Sequence, residues 1–179
     1  MCGGRGTRLD RVEKPLVEVG GTAMIDRVCD ALLASRGDDV YAAVSPHTPG
    51  TRAHLDASAV TVIETPGEGY VADLTAALER IGRPALTVAA DLPLLAPGAV
   101  NRVLDAAADA DGSLTVAVPV ALKRRLGVSV DSTVGDGSLA PTGVNVVAGT
   151  DDDIYACDDT RLAVNVNRPR DLWVAEALS

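Results

Sequence analysis

"PALTVAADLPLL", residues 84–95, decides the fold of this 179-residue chain. Leu86, Val88 and the alanines around them make a compact, nearly continuous apolar run that ends in Asp91, the pattern of a strand covered on both faces. "DVYAAVS" (39–45) and "AVTVIET" (59–65) repeat it upstream, so parallel central strands are expected. Helical patterns lie between them. "TAMIDRVCDALLAS" (22–35) puts Met24, Ile25, Val28, Leu32 and Leu33 on one stripe, with Thr22 as N-cap. "GYVADLTAALERI" (69–81) does the same with Val71, Leu74, Leu78 and Ile81, and "PGAVNRVLDAAADA" (97–110) opens on Pro97, whose missing N–H does no harm in a first turn. The alternation predicts a layered α/β domain with helices covering a sheet.

The second half is less regular. "SLTVAVPV" (113–120) and "TGVNVVAG" (142–149) read as strands, separated by a Gly- and Asp-rich stretch over 127–138. "LAVNVN" (162–167) reads as another strand leading into a Pro-started helix, "RPRDLWVAEAL" (168–178). No repeat, linker or low-complexity tract divides the chain, so residues 1–179 are expected to form one domain.

Charge narrows the partners. The net charge of −9 and pI near 4.6 disfavour a nucleic-acid backbone or an anionic membrane, both of which would be repelled. The acids are mostly Asp and the bases almost all Arg, Lys14 and Lys123 being the only lysines. That balance fits a salt-adapted surface, as in a halophilic archaeon, and fits the codon bias of a GC-rich genome equally well. Cys2, Cys29 and Cys157 are odd in number and have no CxxC spacing, so they are expected as small buried or half-buried apolar groups in a reducing compartment. With no apolar run of membrane-spanning length and no leader pattern, a cytoplasmic protein is expected.

Three stretches carry chemistry. In "GGRGTRLDRVEKP" (3–15) the glycines Gly3, Gly4 and Gly6 let backbone N–H groups close around a phosphate, and Arg5, Arg8 and Lys14 add positive charge. It is not a Walker loop, which requires GK[ST] after four intervening residues, nor a dinucleotide fingerprint, because Leu9 stands where a third glycine belongs. Asp91, at the carboxyl end of its strand, is placed either to hold Mg²⁺ against phosphates or to cap the next helix. Asn165 and Asn167, before Pro169, offer neutral oxygen ligands for the same ion or simply form a turn. A weaker signal is "ETPGEGYVADL" (64–74), whose glycines Gly67 and Gly69 can bring backbone against a base while Asp73 or Glu68 accepts from a guanine edge. His47 and His54 have no partner at catalytic spacing and are expected on the surface.

Taken together, GGRGTR, EKP, DLPLL and NVNRPRDL resemble the nucleotidyltransferases that use a glycosyltransferase-like α/β fold. "SPHTPGT" (45–51), "PGEGYVADL" (66–74) and "APTGVNVV" (140–147) narrow the resemblance to the archaeal GTP:adenosylcobinamide-phosphate guanylyltransferases, over nearly the whole chain. The resemblance implies a single-domain, Rossmann-like three-layer sandwich, with a mostly parallel central sheet and helices on both faces. It implies that Gly3, Gly4, Gly6, Thr7 and Arg8 hold GTP phosphates with Arg5 nearby, and that Lys14 sits at the α-phosphate. It places Mg²⁺ on Asp91 and Asn167, guanine against the Gly67–Gly69–Asp73 turn, and ribose or acceptor near Thr142, Gly143 and Asn145. Arg8, Lys14 and Asp91 would be the catalytic groups.

The implied reaction is attack by adenosylcobinamide phosphate on the α-phosphorus of GTP, with no general base needed. A molybdenum-cofactor guanylyltransferase, which "NVNRPRDL" also resembles, and a non-catalytic GTP-binding regulator are the competing readings. Oligomeric state is open, a homodimer being allowed. In this fold the glycine loop follows a central strand, yet only Met1 and Cys2 precede Gly3, so Met1 is expected to be a strand residue whose strand is cut short at the N-terminus.

Overall fold

The computed structural model describes residues 1–2 and 13–179, and the glycine loop of residues 3–12 lies outside them. A short 3-10 turn, Lys14–Leu16, leads into a two-strand hairpin, β1 (Glu18–Val19) and β2 (Thr22–Ala23). There follow α1 (Met24–Leu33), β3 (Tyr41–Val44), α2 (Pro49–Leu55), β4 (Thr61–Glu64), α3 (Tyr70–Ile81), β5 (Ala85–Val88) and α4 (Pro97–Ala108). The second half supplies β6 (Ser113–Pro119), α5 (Val120–Leu126), β7 (Leu139–Val147), β8 (Asp152–Ala156), α6 (Thr160–Ala163) and α7 (Pro169–Leu178). No helix among the described residues is long and apolar enough to cross a membrane.

β3 and β4 pair in parallel, as their apolar runs lead one to expect. β5 differs: its ladder partner is β7, antiparallel, within a sheet of order β5-β7-β6-β8 in which only β6 and β8 are parallel. The described ladders are therefore mixed, because β7 inserts as an antiparallel strand between β5 and β6. Across the four-stranded sheet Val88, Val116, Val118, Val144 and Val146 join Val28 of α1, Val100 and Val103 of α4, and Leu162 in one buried cluster. β7 alternates strictly between buried and half-buried positions, which fixes its register against a one-residue slip.

Between β3 and β5 the backbone is bridged by Met1 and Cys2. Cys2 N donates to Ala43 O at 2.9 Å, the Met1 ammonium donates to Val88 O at 2.9 Å, and Ala90 N donates to Met1 O at 3.3 Å. A residue that donates to position 88 and accepts from position 90 runs parallel to that strand. Beside this pair opens a slot of about 670 Å³, lined by Met1, Ile25, Ala42, Leu74, Leu78 and Leu86 among others.

Several local expectations change. Thr22 belongs to β2 rather than capping α1, whose N-cap is Ala23. Residues 164–167 join no ladder; immediately before them comes the short helix α6, started by Asp159, which accepts from Arg161 N. The three cysteines are free; Cys2 and Cys29 are buried, and burial first of all pushes the Cys29 thiol up to about 12. Both histidines are exposed, His54 meeting Asp26 at 2.8 Å.

Candidate active site

Lys14 is set by its neighbours. Glu13 accepts from Gly50 N at 2.7 Å and from Thr51 N and Oγ1, both at 2.6 Å, tying the turn to the start of α2. Burial raises the Glu13 carboxyl, but the bonds from Thr51 and Gly50 outweigh it and hold it below its ordinary value. Pro15 is buried on the other side. Lys14, held between them, reaches across to the carboxyl end of β5.

There its Nζ donates to Asp91 Oδ2 at 2.6 Å and to Asn167 Oδ1 at 2.5 Å. Three residues predicted from separate motifs thus converge at one point, largely shielded, with the Lys14 and Asp91 side chains 20% and 15% exposed. The sequence Val164-Asn165-Val166-Asn167 explains how. Val166 N donates to Asp91 O at 2.9 Å, which holds this stretch beside the end of β5. In extended chain alternate side chains share a side, so Val164 and Val166 are fully buried while both asparagines turn toward Asp91.

Each carboxamide has a fixed facing. Asn167 Nδ2 donates to Asp131 Oδ2 at 2.8 Å, and since a carboxylate only accepts, Oδ1 is left for Lys14. Asn165 Nδ2 donates to Asp91 Oδ1 at 3.0 Å and to Thr142 O at 2.8 Å, while its Oδ1 accepts from Lys123 Nζ at 3.0 Å. Lys123 is almost fully buried and also donates to Ala163 O at 2.9 Å. Burial lowers its pKa, against the pull of Asp91, Asp171 and Asp131. Below it Asp171, fully buried, accepts from the backbone of Ser129, Asn167 and Arg168 and from Ser129 Oγ, fixing the start of α7.

Sequence reasoning missed Lys123, Asp131 and Asp171. Only Asp171 had a local signal, an acid at the third position of a Pro-started helix.

The donor set suits a hard cation. Asp91 Oδ2 and Asn167 Oδ1 already share one positive group, the Lys14 ammonium, and one anionic plus one neutral oxygen is the kind of partial shell that Mg²⁺ completes with phosphate oxygens and water. Among the described residues no group of three or more His, Cys, Asp or Glu could hold a metal by itself.

Other predicted residues fall elsewhere or serve differently. Gly3, Gly4, Arg5, Gly6, Thr7 and Arg8 lie outside the described residues. Asp73 is buried and its Oδ1 accepts from Gly67 N at 2.7 Å, so this carboxylate closes its own turn instead of facing outward to a base; Gly67 is half-buried, and Glu68 and Gly69 are exposed. Thr142 is fully buried, donating to Val116 O at 3.0 Å and accepting from Val144 N at 3.1 Å, which braces the bulge where β6 and β7 shift register. It meets the centre through its carbonyl, which accepts from Asn165 Nδ2.

Gly143 has a φ of +81° and brings β7 so close that a Cβ there would stand 2.9 Å from Ala89 Cβ. Its requirement is backbone approach beside Asp91. Asn145 points to the other face of β7, into a shallow cleft of about 370 Å³ with Tyr70, Leu74, Thr87 and Thr115.

Comparison with known proteins shows which family the chain belongs to. Residues 1–130 match the MobA-like NTP transferase domain. The chain is 33% identical over 191 residues to the adenosylcobinamide-phosphate guanylyltransferase of Methanocaldococcus jannaschii, covering 99% of this chain and 94% of that protein. It is 30% identical over 117 residues to a protein of Natronomonas pharaonis named "Probable molybdenum cofactor guanylyltransferase", covering 64% and 58% of the two chains. Among solved structures, CMP:2-keto-3-deoxy-manno-octonic acid synthetase complexed with CTP superposes with a TM-score of 0.71 at 16% identity, over 94% of this chain and 92% of that one. The chain is therefore a nucleotidyltransferase of the MobA-like class, and belongs to the family of the adenosylcobinamide-phosphate guanylyltransferases.

Proposed function

We propose that this protein transfers GMP from GTP to adenosylcobinamide phosphate, giving adenosylcobinamide-GDP and pyrophosphate, a step in assembling the nucleotide loop of cobalamin. The observation that carries this reading is the meeting of Lys14 Nζ, Asp91 Oδ2 and Asn167 Oδ1 at the end of β5. The glycine loop, from Gly3 through Arg8, would hold the triphosphate, and the turn around Gly67 and Gly69 the guanine. The whole chain is read as one three-layer, Rossmann-like domain working in the cytoplasm, its acidic surface suited to high salt.

In the transfer, an oxygen of the acceptor phosphate forms a bond to the α-phosphorus of GTP. The bond from that phosphorus to the bridging oxygen breaks, and pyrophosphate leaves with the electron pair. The nucleophile is already an anion, so no side chain need remove a proton. What the protein supplies is alignment and positive charge. Asp91 and Asn167 would hold Mg²⁺, which when bound neutralises charge building on the phosphate oxygens. Lys14, held by the Glu13 tether, keeps an ammonium at the same end of β5.

The test is GTP-dependent pyrophosphate release with Mg²⁺, in parallel arms supplied with adenosylcobinamide phosphate, with a molybdopterin acceptor, or with none, and the product identified by mass. Release only in the first arm, with an adenosylcobinamide-GDP mass, is expected. Asp91→Ala should lower turnover by at least about 100- to 1000-fold, the range for removing one preorganised electrostatic group, while melting within a few degrees of the parent. An active Asp91→Ala protein would sink the assignment.

A further inference from the structure

We propose that Lys123 is a positioning residue of the transfer centre, acting through Asn165 to decide which oxygen of Asp91 is offered to a cation. The inference rests on the reading of that centre as a nucleotidyl-transfer site. Lys123 lies on α5 beneath the centre, 4% exposed, and among the described residues no carboxylate comes within 4.0 Å of its ammonium. Nothing about the stability of a buried cation favours that arrangement, since a charge out of water is ordinarily paired directly. Its bonds instead go to Ala163 O and Asn165 Oδ1.

An ammonium can only donate. It therefore compels Asn165 to turn its oxygen inward and its NH₂ group outward, where Nδ2 meets Asp91 Oδ1 at 3.0 Å and Thr142 O at 2.8 Å. With Oδ1 of Asp91 held, Oδ2 is the oxygen left facing Lys14 at 2.6 Å, beside Asn167 Oδ1. Were Asn165 turned over, its oxygen would oppose Asp91 Oδ1 and the carboxylate would lose its fixed orientation. The arrangement also assigns the two asparagines distinct tasks. Asn165 turns its oxygen away to Lys123, whereas Asn167 Oδ1 meets the same Lys14 ammonium as Asp91 Oδ2, so Asn167 is the one placed to share a metal with Asp91.

The plain alternative is that Lys123 merely satisfies the last carbonyl of α6, Ala163 O, and contributes only to folding. Two replacements separate the two roles. Lys123→Met keeps the length and removes the donor, and Lys123→Gln keeps a neutral donor. The readout is Mn²⁺ affinity of the protein–GTP complex without acceptor, measured by electron paramagnetic resonance, together with melting temperature. Outer-shell partners of metal ligands typically change affinity by about 10- to 100-fold. Lys123→Met is expected to weaken Mn²⁺ binding by about that factor while still melting cooperatively, and Lys123→Gln to restore most of it.

A folded Lys123→Met protein that binds Mn²⁺ within about twofold of the parent overturns the proposal. So does a folded Lys123→Gln protein as impaired as Lys123→Met. Should neither fold, the parent protein decides by NMR: slow solvent exchange of the Asn165 side-chain amide protons, with a shift on adding Mg²⁺, supports the proposal, and fast exchange overturns it. Parent protein that takes up GTP but no Mn²⁺ removes the underlying reading as well, so the two failures are distinguishable.

Discussion

The two flanks of β5 are built differently. On one side β5 joins β7, β6 and β8, and Val88, Leu92, Val116 and Val144 pack beneath α4 with exposures of 6% or less. On the other side it meets β3 only through Met1 and Cys2 among the described residues, next to the 670 Å³ slot. Asp91, Asn165, Asn167 and Lys123 hang from the closed side, while Lys14 reaches the centre from the turn next to α2. The centre is thus an acidic and amide frame on the closed side, met by a cation whose turn Glu13 ties to the start of α2. Its frame should tolerate little change, and its Lys14 arm should depend on that tie.

The strongest way to break that contrast is a matched pair of truncations. Leu92→Ala, at a fully buried position of the closed side, should lower stability by about 2–5 kcal/mol. Val71→Ala on α3, where the side chain is 75% exposed, should change it by less than about 0.5 kcal/mol. Chemical denaturation of both checks this, and equal losses would dissolve the distinction.

The smallest effect concerns the arm. Glu13 has a folded pKa below its ordinary 4.5, so the stability it contributes is present above that value and disappears as pH falls through the lower folded value. The difference in melting temperature between the parent and Glu13→Gln should therefore be widest near neutrality and shrink as pH falls from 4.5 through the lower folded value. A difference that does not vary with pH would mean that the Glu13 bonds to α2 do not act through its charge.

Much of this was legible from residue pattern. The runs at 39–45, 59–65 and 84–91 are β3, β4 and β5, and Pro97 does open α4, because short apolar runs and helix-starting prolines are local signals. β8 escaped notice because "DDIYA" opens on two aspartates and is exposed on four of its five positions; its place comes from pairing with β6, which no local pattern records. Val71 and Ile81 complete a good helical stripe yet remain exposed, because a stripe says which face is apolar and not whether anything covers it. In the candidate site, Lys14, Asp91 and Asn167 could be singled out because each ends a recognisable motif, and the structure brings the three together. Lys123 was not, since a lysine among arginines on a short helix gives no hint that it lies beneath the centre. Thr142 and Asp73 show the opposite: their polar groups serve buried backbone, a use that sequence cannot separate from ligand binding.

The buried Asp171 has a practical consequence, because one carboxylate accepts from the backbone of Ser129, Asn167 and Arg168 and so ties the start of α7 to the stretch that carries Asn167. A protease cut at residues 168–170 would release the Asn167 amide together with the helix, so resistance to cleavage there reports an intact centre.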